Sequence, residues 1–259
     1  MAKSIARSRS NCFRILRKSP IVEATFQVNF AMKRPITDVD FKSFVKTHFA
    51  GYEFKEEIYS ESIAVKKKAL REPPETITHH QNLIGVRFVK DNRVLTLFTD
   101  GFAFGILKPY PTDESFFAEI SSVTKKFFDL HADAPVTRIG LRYINRFAVD
   151  ATEHAPGKLF TTVPSLPSRL GYGDPLQFLY QDVFRDRETG VVVVSNRLYP
   201  SNGPDTPHEP KAVLDIDASL MPNQVLDESG FEKSVVCLRY AVNKTFFGSV
   251  RKSVIEELA

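Results

Sequence analysis

The sequence predicts an α+β fold of mainly antiparallel sheets, with helices packed on one face. Two observations support this class. Segments in which apolar and polar residues alternate outnumber segments with helical spacing, and short turns between strands outnumber long crossovers. The chain of 259 residues is 42% hydrophobic and contains 22 Phe, which is enough apolar material for a large core.

The first strands show the clearest alternation. In "PIVEATFQVNF", residues 20–30, apolar side chains fall on one face and polar side chains on the other, the polar set being Glu23, Thr25, Gln27 and Asn29. A short helix is predicted in "ITDVDFKSFVKTHF". Strands follow in "YEFKEEIYSESIAV" and "LIGVRFVK", with a predicted loop over residues 66–82 between them.

A hairpin and a longer helix complete the first half. Asp100-Gly101 is a strong turn signal and predicts a hairpin within "RVLTLFTDGFAFGILK". The next segment, "TDESFFAEISSVTKKFFDLH", has helical spacing, and Thr112 or Asp113 can cap it. Its predicted buried stripe consists of Phe116, Ile120, Val123, Phe127 and Leu130.

The second half repeats this mixture of strands and helix. After the strand "TRIGLRYINRF", three strands are predicted in "LQFLYQDVFRD", "TGVVVVSNRLYP" and "KAVLDIDASL". A helical pattern closes the chain, with Gly248 as a predicted break. The predicted organisation is a basic disordered arm (1–18), an N-terminal α+β half (19–150), a loop or linker (151–176) and a C-terminal α+β half (177–259). The two halves raise the hypothesis of a duplication.

Charge is unevenly distributed along the chain. The arm carries six basic residues and no acidic one, and the rest has 29 basic residues against 31 acidic ones. An arm of this composition is typical of a solvated leader, an organellar presequence or a segment that touches nucleic acid. Cys12 and Cys237 lie in unlike settings and predict no disulfide, which favours a reducing cytoplasmic location. No apolar run approaches the length of a membrane span, so we expect no membrane partner.

The sequence lacks the common catalytic motifs. It has no Gly-rich phosphate loop, no Gly-x-Ser-x-Gly elbow and no Cys-x-x-Cys pair. We therefore expect no cofactor, and an enzymatic activity is the less favoured expectation.

One strand carries an unusual polar face. Alternation in residues 137–147 places Arg138, Arg142 and Arg146 on one side. Asp215 and Asp217 share a face in the last predicted strand. If the two strands are neighbours, the arginines and acids form a ladder of cross-strand pairs; if not, the guanidinium groups suit phosphates or other anions.

These faces give the candidate site residues. The predicted ligand-binding set is Arg138, Arg142, Arg146, Glu23, Gln27 and Asn145. We predict no metal site, with Asp215 and Asp217 as weak candidates for a divalent cation.

Several segments together resemble a sporadically distributed prokaryotic family of about this length that has no established activity. The shared features are an opening P-I-x-E-A strand, a hairpin followed by a helix over 93–130, an R-x-G-x-R-Y-x-N-R-like strand, and an N-x-x-F pattern in the last helix. The corresponding residues are Pro20, Ile21, Glu23, Ala24, Arg138, Gly140, Arg142, Tyr143, Asn145, Arg146, Asn243 and Phe246. The resemblance spans residues 18–258 and implies no catalytic residues.

Three functions remain open. The favoured hypothesis is a non-enzymatic binding or assembly module that uses the polar sheet face and aromatic-rich helices, with a protein partner or self-association. The first alternative is nucleic-acid or nucleotide binding through the basic arm and the Arg138, Arg142 and Arg146 face. The second alternative is a metal-dependent phosphoesterase that uses Asp215 and Asp217.

Overall fold

The chain forms one nine-stranded sheet with five helices over the residues that its computed structural model describes, which are 13, 15–31, 38–66, 76–130, 133–149, 155–164, 171, 177–199 and 211–259. The strands are β1 (Ile21–Phe30), β2 (Glu53–Lys66), β3 (Thr76–Lys90), β4 (Arg93–Phe98), β5 (Gly101–Leu107), β6 (Val136–Ala148), β7 (Phe178–Arg185), β8 (Val192–Tyr199) and β9 (Lys211–Leu220). The helices are α1 (Asp38–His48), α2 (Asp113–Leu130), α3 (Pro156–Leu159), α4 (Glu228–Ser249) and α5 (Lys252–Leu258).

The strand order is β2-β3-β4-β5-β1-β6-β9-β8-β7, and every neighbouring pair is antiparallel. The predicted mainly antiparallel α+β class is therefore confirmed. β1 is the central strand, with four strands on each side, while β2 and β7 form the two edges. The relation between the two halves stays a prediction.

The core lies on the apolar face of β1. Alternation buries its even-numbered residues from Ala24 onward, which include Phe26 and Phe30, while the odd-numbered residues stay partly exposed. The Phe26 ring meets Phe231 of α4 edge-on at 5.8 Å, and the Phe30 ring meets Phe128 of α2 at 5.6 Å. Both helices are thus fixed to the central strand by aromatic contacts.

Helix α2 begins where its sequence predicts. The Thr112 hydroxyl oxygen accepts a hydrogen bond from the Ser115 amide at 3.3 Å, which satisfies one of the free donors of the first turn. Phe116, Ile120, Val123 and Phe127 are buried. The Phe127 ring stacks on Phe102 of β5 at 4.2 Å, so the helical stripe reaches the neighbour of the central strand.

Helix α4 is the longest helix of the described chain. Asp227 caps it, because its Oδ1 accepts from the Gly230 amide at 2.7 Å. The predicted break at Gly248 falls two residues later, where Val250 is extended and forms an isolated bridge with Phe160.

Strand β3 begins earlier than its sequence predicts. Residues 76–82 had the composition of a loop, but they pair with β2 from Thr76↔Lys66 onward. Pairing with a long neighbouring strand satisfies their backbone groups, which overrides weak local propensity.

Two predicted segments lie mostly outside the described residues. They are the basic arm, of which only 13 and 15–18 are described, and the 151–176 linker, of which 155–164 and 171 are described. The Phe13 ring stacks on Phe247 of α4 at 5.3 Å, and the Lys18 amide donates to the Leu258 carbonyl at 2.9 Å. Within the described part of the chain, no helix is both long and apolar enough to cross a membrane.

Candidate functional site

An arginine–aspartate ladder crosses β6 and β9. Arg142 binds Asp215 through two parallel hydrogen bonds, from Nε to Oδ1 at 2.8 Å and from Nη2 to Oδ2 at 2.9 Å. Arg138 Nη2 donates to both carboxylate oxygens of Asp217 at 3.1 Å. The hydrogen bonds from Arg142 to Asp215 raise the pKa of the guanidinium above its usual range. β6 and β9 are therefore neighbours, and two of the arginines form the cross-strand pairs with aspartates that the ladder hypothesis predicts.

Strand register explains how the pairs form. Arg142 lies directly opposite Asp217 but binds Asp215, so each arginine reaches diagonally along β9. Arg138 reaches Asp217 by lying over Gly140. A side chain at Gly140 would place its Cβ 2.5 Å from Nη1 of Arg138, so the missing side chain gives the guanidinium its path.

The predicted ligand-binding residues divide between the two faces of the sheet. Glu23 and Gln27 lie on the ladder face, because Thr25 pairs with Arg142 in the β1–β6 register. Arg146 lies on the same face and is exposed. Asn145 is buried on the opposite face, where its Nδ2 donates to the Leu214 carbonyl at 3.1 Å.

The two candidate metal ligands are engaged by cationic and amide groups. Asp215 accepts from Arg142 and from Asn196 Nδ2 at 3.3 Å, and Asp217 accepts from Arg138. Among the described residues, no group of three or more His, Cys, Asp or Glu side chains is placed to hold a metal ion. The chemistry of this face is ion pairing between fixed partners.

An apolar row continues the ladder face toward the β7 edge. In register, Val213 of β9 lies opposite Leu198 of β8, which lies opposite Leu179 of β7. A second row joins Val194 to Val183. Leu179 is 72% exposed and Val183 is 64% exposed. These two β7 side chains and the outer edge of β7 form the surface called here the β7 edge.

The opposite edge of the sheet has a different character. β2 carries Glu53, Lys55, Glu56, Glu57 and Glu61, and its pairing with β3 is irregular at two points. At the first, Phe54 pairs with Phe88 and Glu56 with Arg87, which leaves Lys55 as an extra residue. Charge and bulges both hinder the addition of a further strand.

A cavity of about 560 Å³ lies beside the N-terminus of α2, among β6, α4 and the segment before β1. Arg239 Nη2 binds Asp113 Oδ2 at 2.8 Å, and the Tyr110 hydroxyl donates to Asp113 Oδ1 at 2.9 Å. The Tyr110 and Tyr143 hydroxyl oxygens are 3.3 Å apart. Burial raises the pKa of both tyrosines well above their usual range, so both stay neutral. These polar groups bind one another, and their chemistry is that of a closed structural network.

Sequence reasoning missed this cavity and a buried arginine, Arg197 of β8, which lies against α4 in the C-terminal half. The sequence of β6 contains one indication of the cavity, because alternation places Tyr143 and Asn145 on the face opposite the arginines. Asp113 and Arg239 lie in helices that are far apart in the sequence, so no sequence pattern predicts their ion pair.

No protein-family model and no curated protein matches this chain. What the chain does is therefore inferred from the chemistry of its surfaces and cavities.

Proposed function

We propose that the chain is a non-enzymatic assembly module that pairs with a second copy of itself through the β7 edge. The observation that carries this proposal is an edge strand that exposes two apolar side chains, Leu179 and Val183, on either side of the exposed Gln181. Within the described chain, no strand pairs with its outer side. A regular edge strand without Pro or Lys offers free backbone donors and acceptors to another strand.

The sequence of β7 is self-complementary in one register. In an antiparallel pair, the two residues that lie opposite each other have side chains on the same face of the sheet. When the two strands are identical, the two-fold axis must therefore pass through a position where one residue lies opposite its own copy. With Gln181 at the axis, Leu179 lies opposite Val183 of the second copy, and Phe178 lies opposite Phe184. Apolar side chains then meet apolar side chains at four positions, and the two Gln181 amides meet at the centre.

Neighbouring registers are less favourable. With Asp182 at the axis, the two Asp182 carboxylates face each other and Leu179 lies opposite Arg185. Like charges directly opposite destabilise a strand pair. This difference favours one defined dimer over a set of slipped pairings.

The state of the ladder supports assembly over phosphate binding. Arg138 and Arg142 direct N–H donors to Asp217 and Asp215, and acidic residues outnumber basic ones outside the arm. Surfaces that bind nucleic acid are usually strongly basic. Nucleic-acid binding through Arg146 and the arm stays a prediction, as does the phosphoesterase hypothesis.

We also propose that the helices cover the face of Phe26 and leave the ladder face open. Arg142 supports this, since 45% of its side chain is exposed. The aromatic residues of α4 that suggested an interface contact aromatic residues of the same chain: Phe246 and Phe247 meet at 5.2 Å, and Phe247 stacks on Phe13. These contacts support the β7 edge, rather than the aromatic helices, as the assembly surface.

A cysteine placed at the two-fold axis tests both the dimer and its register. In a Cys12→Ser, Cys237→Ser background, we expect Gln181→Cys to form a disulfide-linked dimer under mild oxidation, because residues directly opposite have Cα atoms roughly 4.5–5.5 Å apart. Leu179→Cys is the matched control, since its predicted partner is Val183 rather than itself. The native mass of the unmodified chain is measured in parallel.

Three results would contradict the proposal. The first is a monomeric native mass at about 100 μM, well above the micromolar range of modest association. The second is equal cross-linking of the Gln181→Cys and Leu179→Cys variants, which would indicate random collision. Dimerisation that survives without β7 cross-linking would place the interface elsewhere on the chain.

A further inference from the structure

A second cavity, of about 540 Å³, lies between the β7–β8 turn, strand β8 and helix α4. It is separate from the ladder and belongs to one chain. Its walls combine apolar side chains, among them Phe184, Val193 and Ala241, with charged ones, among them Arg197 and Lys244. A volume of this size is typical of a site for a small molecule.

Arg197 is the unusual residue of this cavity. It is 6% exposed, and its Nη2 binds Asp182 Oδ2 at 2.9 Å. Among the residues that the structure describes, its Nε and Nη1 have no hydrogen-bond partner, and neither has the Oγ of Ser195, which lies two residues earlier on the same face of β8. Buried polar groups are almost always hydrogen-bonded, so unused guanidinium donors beside a cavity indicate an acceptor that binds there.

The charges around the cavity favour an anion. Arg185, Arg187, Arg197 and Lys244 line it against two acids, Asp186 and Glu188. Lys244 binds Asp186 at 2.9 Å, and that pair holds the turn in place. Arg185 and Arg187 form no ion pair with any described residue, so the mouth of the cavity keeps a positive excess that attracts anions.

The walls distinguish between kinds of anion. Phe184, Val193 and Ala241 supply apolar surface beside Arg197. The Asp186 and Glu188 carboxylates disfavour a doubly charged phosphate more than a singly charged carboxylate. We propose that this cavity binds a small organic monocarboxylate, whose carboxylate accepts from Arg197 and whose apolar body lies against Phe184 and Val193.

Benzoate is the probe, tested on the full chain against its neutral isostere benzamide and against inorganic phosphate. Calorimetry gives the affinities, and the NMR signal of the Arg197 Nε–H reports on the site itself. We expect benzoate to bind saturably and to shift that signal, and benzamide to bind at least about tenfold more weakly, because a charge-assisted hydrogen bond is lost. Arg197→Gln is expected to weaken benzoate binding by about tenfold or more.

The control is Lys46→Gln, which removes one positive charge from an exposed position of α1 and should change benzoate affinity by less than about twofold. Equal affinity for benzoate and benzamide would overturn the proposal. So would phosphate binding more tightly than benzoate, or Arg197→Gln retaining benzoate affinity. If Arg197→Gln does not fold, the wild-type Nε–H signal decides, because a signal that benzoate leaves unmoved also overturns the proposal.

Discussion

The two edges of the sheet differ in almost every property that governs strand addition. β2 carries five charged residues in its described side chains and is irregular against β3 at two points. β7 pairs with β8 without interruption and exposes Leu179 and Val183. The two edges of one sheet can therefore differ in how well they resist the addition of a further strand. We expect an interaction at β7, the edge that resists it less.

The charges of β2 are also held in fixed positions. Glu57 accepts from Lys42 at 3.3 Å and from the Tyr59 hydroxyl at 2.6 Å, and Arg87 donates to Glu56. The hydrogen bonds from Tyr59 and Lys42 lower the pKa of Glu57, and the bond from Tyr59 is the larger cause. A strand added to β2 would have to pair beside these carboxylates as well as beside Phe54 and Tyr59, whereas a strand added to β7 would meet Leu179 and Val183.

The largest expected effect comes from adding charge to the β7 edge. Leu179→Lys should raise the dimer dissociation constant by about 100-fold, because each dimer loses an apolar contact at two symmetric positions. Native mass measured over a concentration series gives the constant. Val225→Lys is the control, since Val225 is exposed to a similar degree but lies outside β7. An unchanged constant in Leu179→Lys would refute the role of this edge.

The next effect concerns the turn that aligns β7 with β8. Burial acts to raise the pKa of Asp186, but hydrogen bonds from Lys244 and Thr189 outweigh it and lower that pKa to about 2. A carboxylate whose pKa is lower in the folded protein than in the unfolded chain stabilises the fold when the pH is above the pKa of the unfolded chain, which is near 4. That stabilisation is lost as the pH falls to about 2. Asp186→Asn should therefore cost about 2 kcal/mol of unfolding free energy at neutral pH.

Urea unfolding between pH 7 and pH 2 checks this expectation. The gap between the wild type and Asp186→Asn should close toward pH 2. Asp129→Asn, at an exposed position of α2, is the control and should leave stability nearly unchanged. Amide exchange should quicken at β7 and not at β2, and equal quickening at both edges would contradict a local role.

A smaller effect is expected from removing the protection of β2. Deletion of Lys55 should remove the bulge while Phe54 and Glu56 keep their present faces, because the register already places them opposite the adjacent residues Phe88 and Arg87. The straightened edge should then form species larger than a dimer at high concentration. Light scattering measures this. Replacing Lys55 with Gln keeps the bulge and serves as the control.

The smallest effect is expected in the ladder, whose two strands are not edge strands. A double-mutant cycle of Arg142→Met and Asp215→Asn should give a coupling of about 0.5–1 kcal/mol, since nearly half of the Arg142 side chain is exposed to solvent. The coupling should shrink in about 1 M salt, where the screening length is roughly 3 Å. A coupling that is larger and independent of salt would mean that the pair is shielded by a partner.

Sequence alone predicted what alternation determines. The buried and polar faces of β1, the arginine face of β6 and the buried stripe of α2 follow from fixed periods of two and 3.6 residues. The same rule places Asn145 on the face opposite the arginines, where it is buried. Its role in ligand binding stays a prediction.

The rest depends on which strands are neighbours. Arg197 and Asp182 each look like ordinary polar positions, and their ion pair exists only in the observed β7–β8 arrangement. The exposure of Leu179 likewise follows from the position of β7 at the end of the sheet. Strand order is set by packing across the whole chain, so no local pattern could have shown which edge lay open.

The bulge and charges of β2 determine how large an assembly can become. A protomer with two receptive edges would recruit copies without limit, as stacked strands do in amyloid. Two protomers joined at β7 would instead present a β2 strand at each end of the combined sheet, and neither end would recruit a third. Growth would stop at a stoichiometry of two, because the bulge and charges of β2 would hinder strand addition at both ends of the combined sheet.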